Sequence, residues 1–208
     1  MIDQTMTFIP FLIAALVLAL TPGPGMAYVV ACTVAGGRPE GLASCLGTGL
    51  GGLLHVLAAA LGLYLLLAQS AMAFGLVKYV GAAYLVYLGA RMLMHKTTPA
   101  TAGPVSARGA RRAFLEGIVV EALNVKTALF FLAFLPQFTT AGQPLAAQLV
   151  LLGCICVALN TLADVVAVMA AHRLLKSPAA RASRARLLTR VSGLTLMGLG
   201  AWLALARR

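Results

Sequence analysis

The sequence predicts an all-α integral membrane protein: six transmembrane helices, arranged as two inverted three-helix repeats, with the first helix broken. Three observations predict it. The chain of 208 residues is 61% hydrophobic and 10% charged, with a mean hydropathy of +0.95, whereas soluble domains run at roughly 45–50% apolar and about 25% charged. Six apolar runs, near 8–35, 42–67, 70–94, 113–136, 145–170 and 188–206, stand out, and each exceeds or approaches the roughly 20 residues that cross about 30 Å of hydrocarbon. The two halves also partly agree when the chain is shifted by 103 residues. Little chain is left over, so residues 1–208 read as one membrane domain: repeat one at about 1–96, a basic linker at about 97–112, and repeat two at about 113–208.

The first run is preceded by MIDQTMT, which carries Asp3 and no Lys or Arg. A signal peptide needs a basic n-region, a shorter apolar core and a small-residue cleavage site, so the run reads as a retained span. Inside it stands LALTPGPGMAYVV, residues 18–30. Proline has no N–H, so Pro22 and Pro24 leave the carbonyls of Leu18 and Leu20 without helix partners. Each proline also pushes the residue before it, Thr21 or Gly23, off helical angles. Unpaired backbone groups cost several kcal/mol each in hydrocarbon, so the break belongs beside protein or a wet hollow inside the bundle. The half-helix that restarts there exposes N–H groups around Gly25, Met26 and Ala27, a site suited to a carboxylate. Thr21 is the expected N-cap of that half-helix. The alternative is a kink that serves packing alone.

Span two carries Gly47, Gly51 and His55 at four-residue spacing. Small residues at that spacing line a helix contact, so His55 shares the face turned into the bundle. Its ordinary pKa of about 6.5 suits a proton carrier; a packed histidine bonded to a backbone carbonyl is the plainer alternative. Span three offers Tyr84 and Tyr87, which either pack or point a hydroxyl inward. Span four holds Glu116 toward the linker, then Glu121, Asn124 and Lys126 nearer its middle. Ionisable residues at depth are costly and are functional candidates by default. Lys126 can pair with a substrate carboxylate or with Glu121. Glu116 can pair with Arg111 or Arg112. Phe130, Phe134 and Phe138 form an i, i+4, i+8 stripe that suits packing or lipid contact. Span five places Asn160, Thr161 and Asp164 in one polar stripe, with Asp164 the favoured proton-coupling carboxylate and Glu121 the second candidate.

Charge fixes the expected orientation. The net charge is +11, and twelve of the sixteen basic residues fall in alternate connections: Arg38; Arg91, Lys96, Arg108, Arg111 and Arg112; Arg173, Lys176, Arg181, Arg184, Arg186 and Arg190. Lys and Arg mark the cytoplasmic side, so both termini are expected outside, although Arg207 and Arg208 run against that. Basic loops near anionic lipid account for the charge better than nucleic acid does. Cys32, Cys45, Cys154 and Cys156 all lie within spans and read as small packing residues.

The internal repeat rests on few identities. Phe11-Leu12 falls on Phe114-Leu115, Thr21 on Asn124, and the turn at 38–43 on 141–146; with a shift of about 112, Lys78-x-x-Gly81 falls on Arg190-x-x-Gly193. Three spans per half is odd, so the halves enter the membrane from opposite sides, an architecture that places a site on broken helices near the midplane.

The stretches TPGPGMAYVV, GGRPEGLASCLGTGLGGLLH, KYVGAAYLVYLG and LNVKTALFFLAFLPQF resemble the amino-acid exporters of the lysine exporter and homoserine/threonine exporter type (LysE/RhtB). The resemblance extends over all six spans. It implies proton-driven efflux of amino acids or close derivatives across the bacterial inner membrane, with no cofactor and no enzymatic step. For such an exporter the breaks and the polar residues at depth give the expected substrate contacts, Thr21, Pro22, Gly23, Pro24, Gly25, Asn124 and Lys126, with Asp164, His55, Glu121 and Asn160 handling the proton or ion. The family's fourth span usually reads Asn-Pro-Lys; here it is Asn124-Val125-Lys126, so either Asn124 alone opens the helix or span four is straighter. Amino acid, proton and membrane lipid are the implied partners, and a homodimer stays open. Two other classes were weighed. A thiol-redox carrier needs facing cysteines, and no cysteine falls on another under the repeat. An ion or metal transporter needs converging ligands, and one central His with scattered acids offers few.

Overall fold

The computed structural model describes residues 2–63, 109–140 and 142–174, with single helical residues between 72 and 94 and between 190 and 205. Among the described residues every regular element is helical. Helix α1 (Ile2–Leu20) leads across a break to α2 (Pro24–Ala58) and a π-helical turn, Ala59–Leu63. Helix α3 (Ala110–Ala122) leads across a second break to α4 (Val125–Leu129), continued by π and 3-10 turns to Phe138. Helix α5 (Leu145–Leu174) follows a turn through Gly142, whose φ is 85°.

Helix α2 is two arms, not one rod. Gly37 interrupts it at φ 76°, ψ −169°, a conformation that only glycine adopts at low cost. Across that point Thr33 touches Gly41, Val29 shares a cluster with Cys45, and Thr48 lies beside Gly25. Such pairs meet only if the chain reverses. Pro39 falls in the first turn of the returning arm, where a missing N–H is harmless. The expected first connection is therefore present, tightened almost to a point.

The second arm is the centre of the described bundle. Gly47 and Gly51 press on the backbone carbonyls of Phe114 and Ile118, so the arm runs parallel to α3. On its other side Gly49 meets Thr161, Gly52 meets Val157 and Val56 meets Gly153, an antiparallel register with α5. The glycines expected to line a helix contact do so inside the chain.

The two ends of the bundle differ. At the Gly37 end, Glu40 accepts from Gly109 N (2.9 Å), Tyr28 Oη donates to Ala113 O (3.1 Å) and Glu116 (3.2 Å), and Arg112 Nε donates to Glu116 (2.7 Å). Arg38, Arg111 and Arg112 are exposed there. At the other end Phe8, Phe11 and Phe138 stack in sequence, and Gln148 bonds the Thr140 backbone at both ends of its amide. Phe130, Phe134 and Phe138 are buried, with centroids 5.0 and 5.6 Å apart, so the stripe is core and not a lipid face. The outward stripe is Leu46, Leu50, Leu54, Leu57 and Leu61, all exposed, as a surface solvated by hydrocarbon allows.

Pro24–Gly62 and Leu145–Ala171 are long and apolar enough to cross a membrane, and the pair Ala110–Ala122 and Val125–Phe138, bent by 43°, makes a third. Expected spans three and six fall mostly outside the described residues, as do Tyr84, the Lys78 and Gly193 repeat positions, and the linker up to Arg108. Where they are described they touch: Gly200 lies against Ala82 O and Val86.

Candidate functional site at two facing helix breaks

The first break follows from its prolines. Helix α1 stops at Leu20, Gly23 is extended at φ −129°, ψ −172°, and α2 restarts with Pro24 in its first turn. Thr21 does not cap the restart. Its hydroxyl turns back to Val17 O (2.6 Å), and Gly23 holds the N-cap position without a side-chain bond. The reason is local: an N-cap serves the N–H groups two and three residues on, and three residues after Thr21 stands Pro24, which has none.

The second break needs no proline. Asn124 leaves the helix at φ −76°, ψ 99°, and its Oδ1 accepts from Lys126 N (3.1 Å). A short amide side chain offers the backbone an alternative to the helix ladder, and that suffices for the bend despite Val125.

The breaks face and complete each other. Lys126, 8% exposed, donates from Nζ to Leu18 O (3.2 Å) and Thr21 O (2.8 Å). Leu18 O is one of the two carbonyls that the prolines deprive of an α-helical partner; it accepts from Thr21 N at 3.2 Å, and an ammonium from the second break completes the cap at the end of α1. Glu121 is equally held: Asn124 Nδ2 donates to Oε2 (3.0 Å) and Thr127 Oγ1 to Oε1 (2.6 Å). Its Oε2 rests where a side chain at Gly25 would stand, in the first turn of α2 and at the positive end of that helix. His55 Nε2 donates to Glu121 O (2.8 Å), which fixes the protonated nitrogen of that ring. Across the hollow Thr48 Oγ1 donates to Asp164 Oδ2 (3.1 Å).

The hollow between these groups measures about 30 Å³. A water needs about 10–15 Å³ on that measure, so it admits about two waters and no amino acid. Of the residues singled out in the sequence, Thr21, Gly23, Gly25, Glu121, Asn124, Lys126, Asn160 and Asp164 line it. Pro22 and Pro24 shape the break without lining it, and His55 stands behind Glu121. Thr48 and Thr127 were missed. A threonine one residue past Gly47, or one past Lys126, gives no signal until its partner carboxylate is known. Buried Glu40 and half-buried Tyr28 were missed as well, although both carry polar groups next to a turn or a charged helix end. All four cysteines are free, and no group of three His, Cys, Asp or Glu converges among the described residues.

The family model of the LysE type translocator matches residues 16–207. The chain belongs to the LysE family. A membrane protein of Vibrio cholerae serotype O1 without an assigned activity is 30% identical over 205 residues, 96% of this chain and 97% of its own. The homoserine/homoserine lactone efflux protein of Salmonella typhimurium is 33% identical over 152 residues, 69% of each chain. The leucine efflux protein of the same organism is 30% identical over 137 residues, 64% of each. No solved structure matches. LysE proteins are translocators, so the chain is a membrane transporter and not an enzyme.

Proposed function

We propose that the chain exports amino acids or close derivatives from the bacterial cytoplasm, driven by protons, through alternating access of two inverted three-helix repeats. The observation that carries this reading is the meeting of two broken helices at one buried polar hollow. Efflux of homoserine and leucine by LysE relatives supports the substrate class. The repeat is supported by a recurring order: helix, break, helix, a turn at a positive-φ glycine, long helix, with Gly37 and Gly142 at the turns. Arg38, Arg111 and Arg112 at the Gly37 end support a cytoplasmic assignment for that end and an outside N-terminus.

The roles follow from charge. The first turn of α2 and Lys126 receive the substrate carboxylate. Glu121 and Asp164 receive the ammonium or the coupling proton, with His55 and Asn160 supporting them. Rocking one repeat against the other opens the hollow first to one side and then to the other. Overexpression is expected to protect cells against part of a panel of amino acids and dipeptides and to lower their internal pools. A panel in which no member responds would overturn the reading. Asp164→Asn is expected to abolish gradient-driven efflux while leaving substrate exchange measurable; full gradient-driven efflux in that variant would remove Asp164 from the coupling step.

A further inference from the structure

We propose that the site is closed by the protein's own charges, which stand in for the two ends of a free α-amino acid. The inference deepens the export reading and rests on it. The break in α1 and α2 leaves two helix ends of opposite sign: carbonyls at the end of α1 and N–H groups at the start of α2. Both are covered from the second break. The Lys126 ammonium sits on Leu18 O and Thr21 O at 3.2 and 2.8 Å. The Glu121 carboxylate lies against Gly25. A primary ammonium is therefore bound at one end, and a carboxylate held by Asn124 and Thr127 rests beside the other, as an amino acid would present them. The small volume of the hollow has the same cause.

Loading is then an exchange. The substrate ammonium takes Leu18 O and Thr21 O from Lys126, and the substrate carboxylate takes the Gly25 end from Glu121. The displaced side chains move onto the substrate's opposite charges, Lys126 to its carboxylate and Glu121 to its ammonium. No charge is left unpaired in the bilayer at any point, which a one-ended ligand cannot achieve. The ligand class is therefore amino acids with both groups free. Amino-acid amides, lactones and N-acetyl amino acids are excluded, each for want of one end, which would set this chain apart from the relative named for homoserine lactone efflux.

The test uses the full chain purified in detergent and in proteoliposomes. Lys126→Met strips Thr21 O of its donor and leaves Leu18 O with the Thr21 N bond alone, so its thermal midpoint is expected to fall by several degrees. Ethylammonium chloride is expected to raise that midpoint and leave the unmutated protein unmoved, and tetramethylammonium, which has no N–H, to do neither. This readout needs no transported substrate, so it stands even if the export reading fails. Equal response to both salts, no response, or a variant that folds in neither salt would overturn the ammonium site. In proteoliposomes of the unmutated chain, leucine or homoserine, whichever is exported, is expected to lose at least about tenfold in uptake when supplied as its amide or N-acetyl form. Amides carried as well as the parent amino acid would overturn the exchange while leaving export intact.

Discussion

The two breaks do the same job by different means. At Thr21–Gly23 the prolines enforce the interruption covalently, and no neighbouring side chain within α1 or α2 supplies the donor that Leu18 O and Thr21 O receive. At Asn124 the interruption is made by a side chain that also satisfies it, accepting from Lys126 N and donating to Glu121. The first break depends on a donor from outside; the second is soft and makes its own backbone bond. The service is mutual at Lys126, whose ammonium caps Leu18 O and Thr21 O and, being buried, relies on those carbonyls in return. In the exchange proposed above, the first break would be the fixed receptor and the second would carry the movable charges.

That comparison can be broken at graded cost. The largest effect is expected from Lys126→Met, which strips the dependent break of its donor. One buried carbonyl left without a donor predicts a loss of about 1–3 kcal/mol, Leu18 O keeping its bond from Thr21 N, read as a lowered thermal midpoint, together with abolished efflux. Gly25→Ala comes next. Its methyl would land on the Glu121 carboxylate, the end of a flexible side chain, so folding survives while efflux falls by about tenfold. Asn124→Ala attacks the soft break and is expected to cost about 1 kcal/mol for the lost cap, with a few-fold drop in efflux. Val125→Pro is the smallest. Val125 is the first residue of α4 and Asn124 is extended, a geometry that proline favours, so stability is expected to stay within about 0.5 kcal/mol. A large loss there would show that the soft break depends on the Val125 N–H.

The sequence made demands legible more readily than their supply. Prolines at 22 and 24 announce a Leu18 carbonyl without its α-helical partner, and in the structure it accepts from Thr21 N nearby and from a side chain far along the chain. Nothing local says that the donor is Lys126, 108 positions away. The Gly47–Gly51–His55 face was readable because helical spacing encodes it, and its partners Phe114 O and Ile118 O were not, because backbone atoms leave no trace in side-chain identity. Thr21 has the side chain of a cap, but Pro24, three residues on, has no N–H for it to accept. Asn124 bends span four without a proline because its side chain accepts from Lys126 N, a bond that residue identity alone does not reveal.

The seam between the second arm of α2 and α3 has a mechanical consequence. Gly47 and Gly51 present bare backbone to Phe114 O and Ile118 O, and Gly51 also to the Glu121 side chain, so at these points the helices approach more closely than meshed ridges and grooves allow. Contacts of a Cα with a carbonyl are individually weak, and the bond from His55 to Glu121 O is the catch beside them. The seam is built like a bearing, directly beneath the carboxylate that the proposed exchange would move.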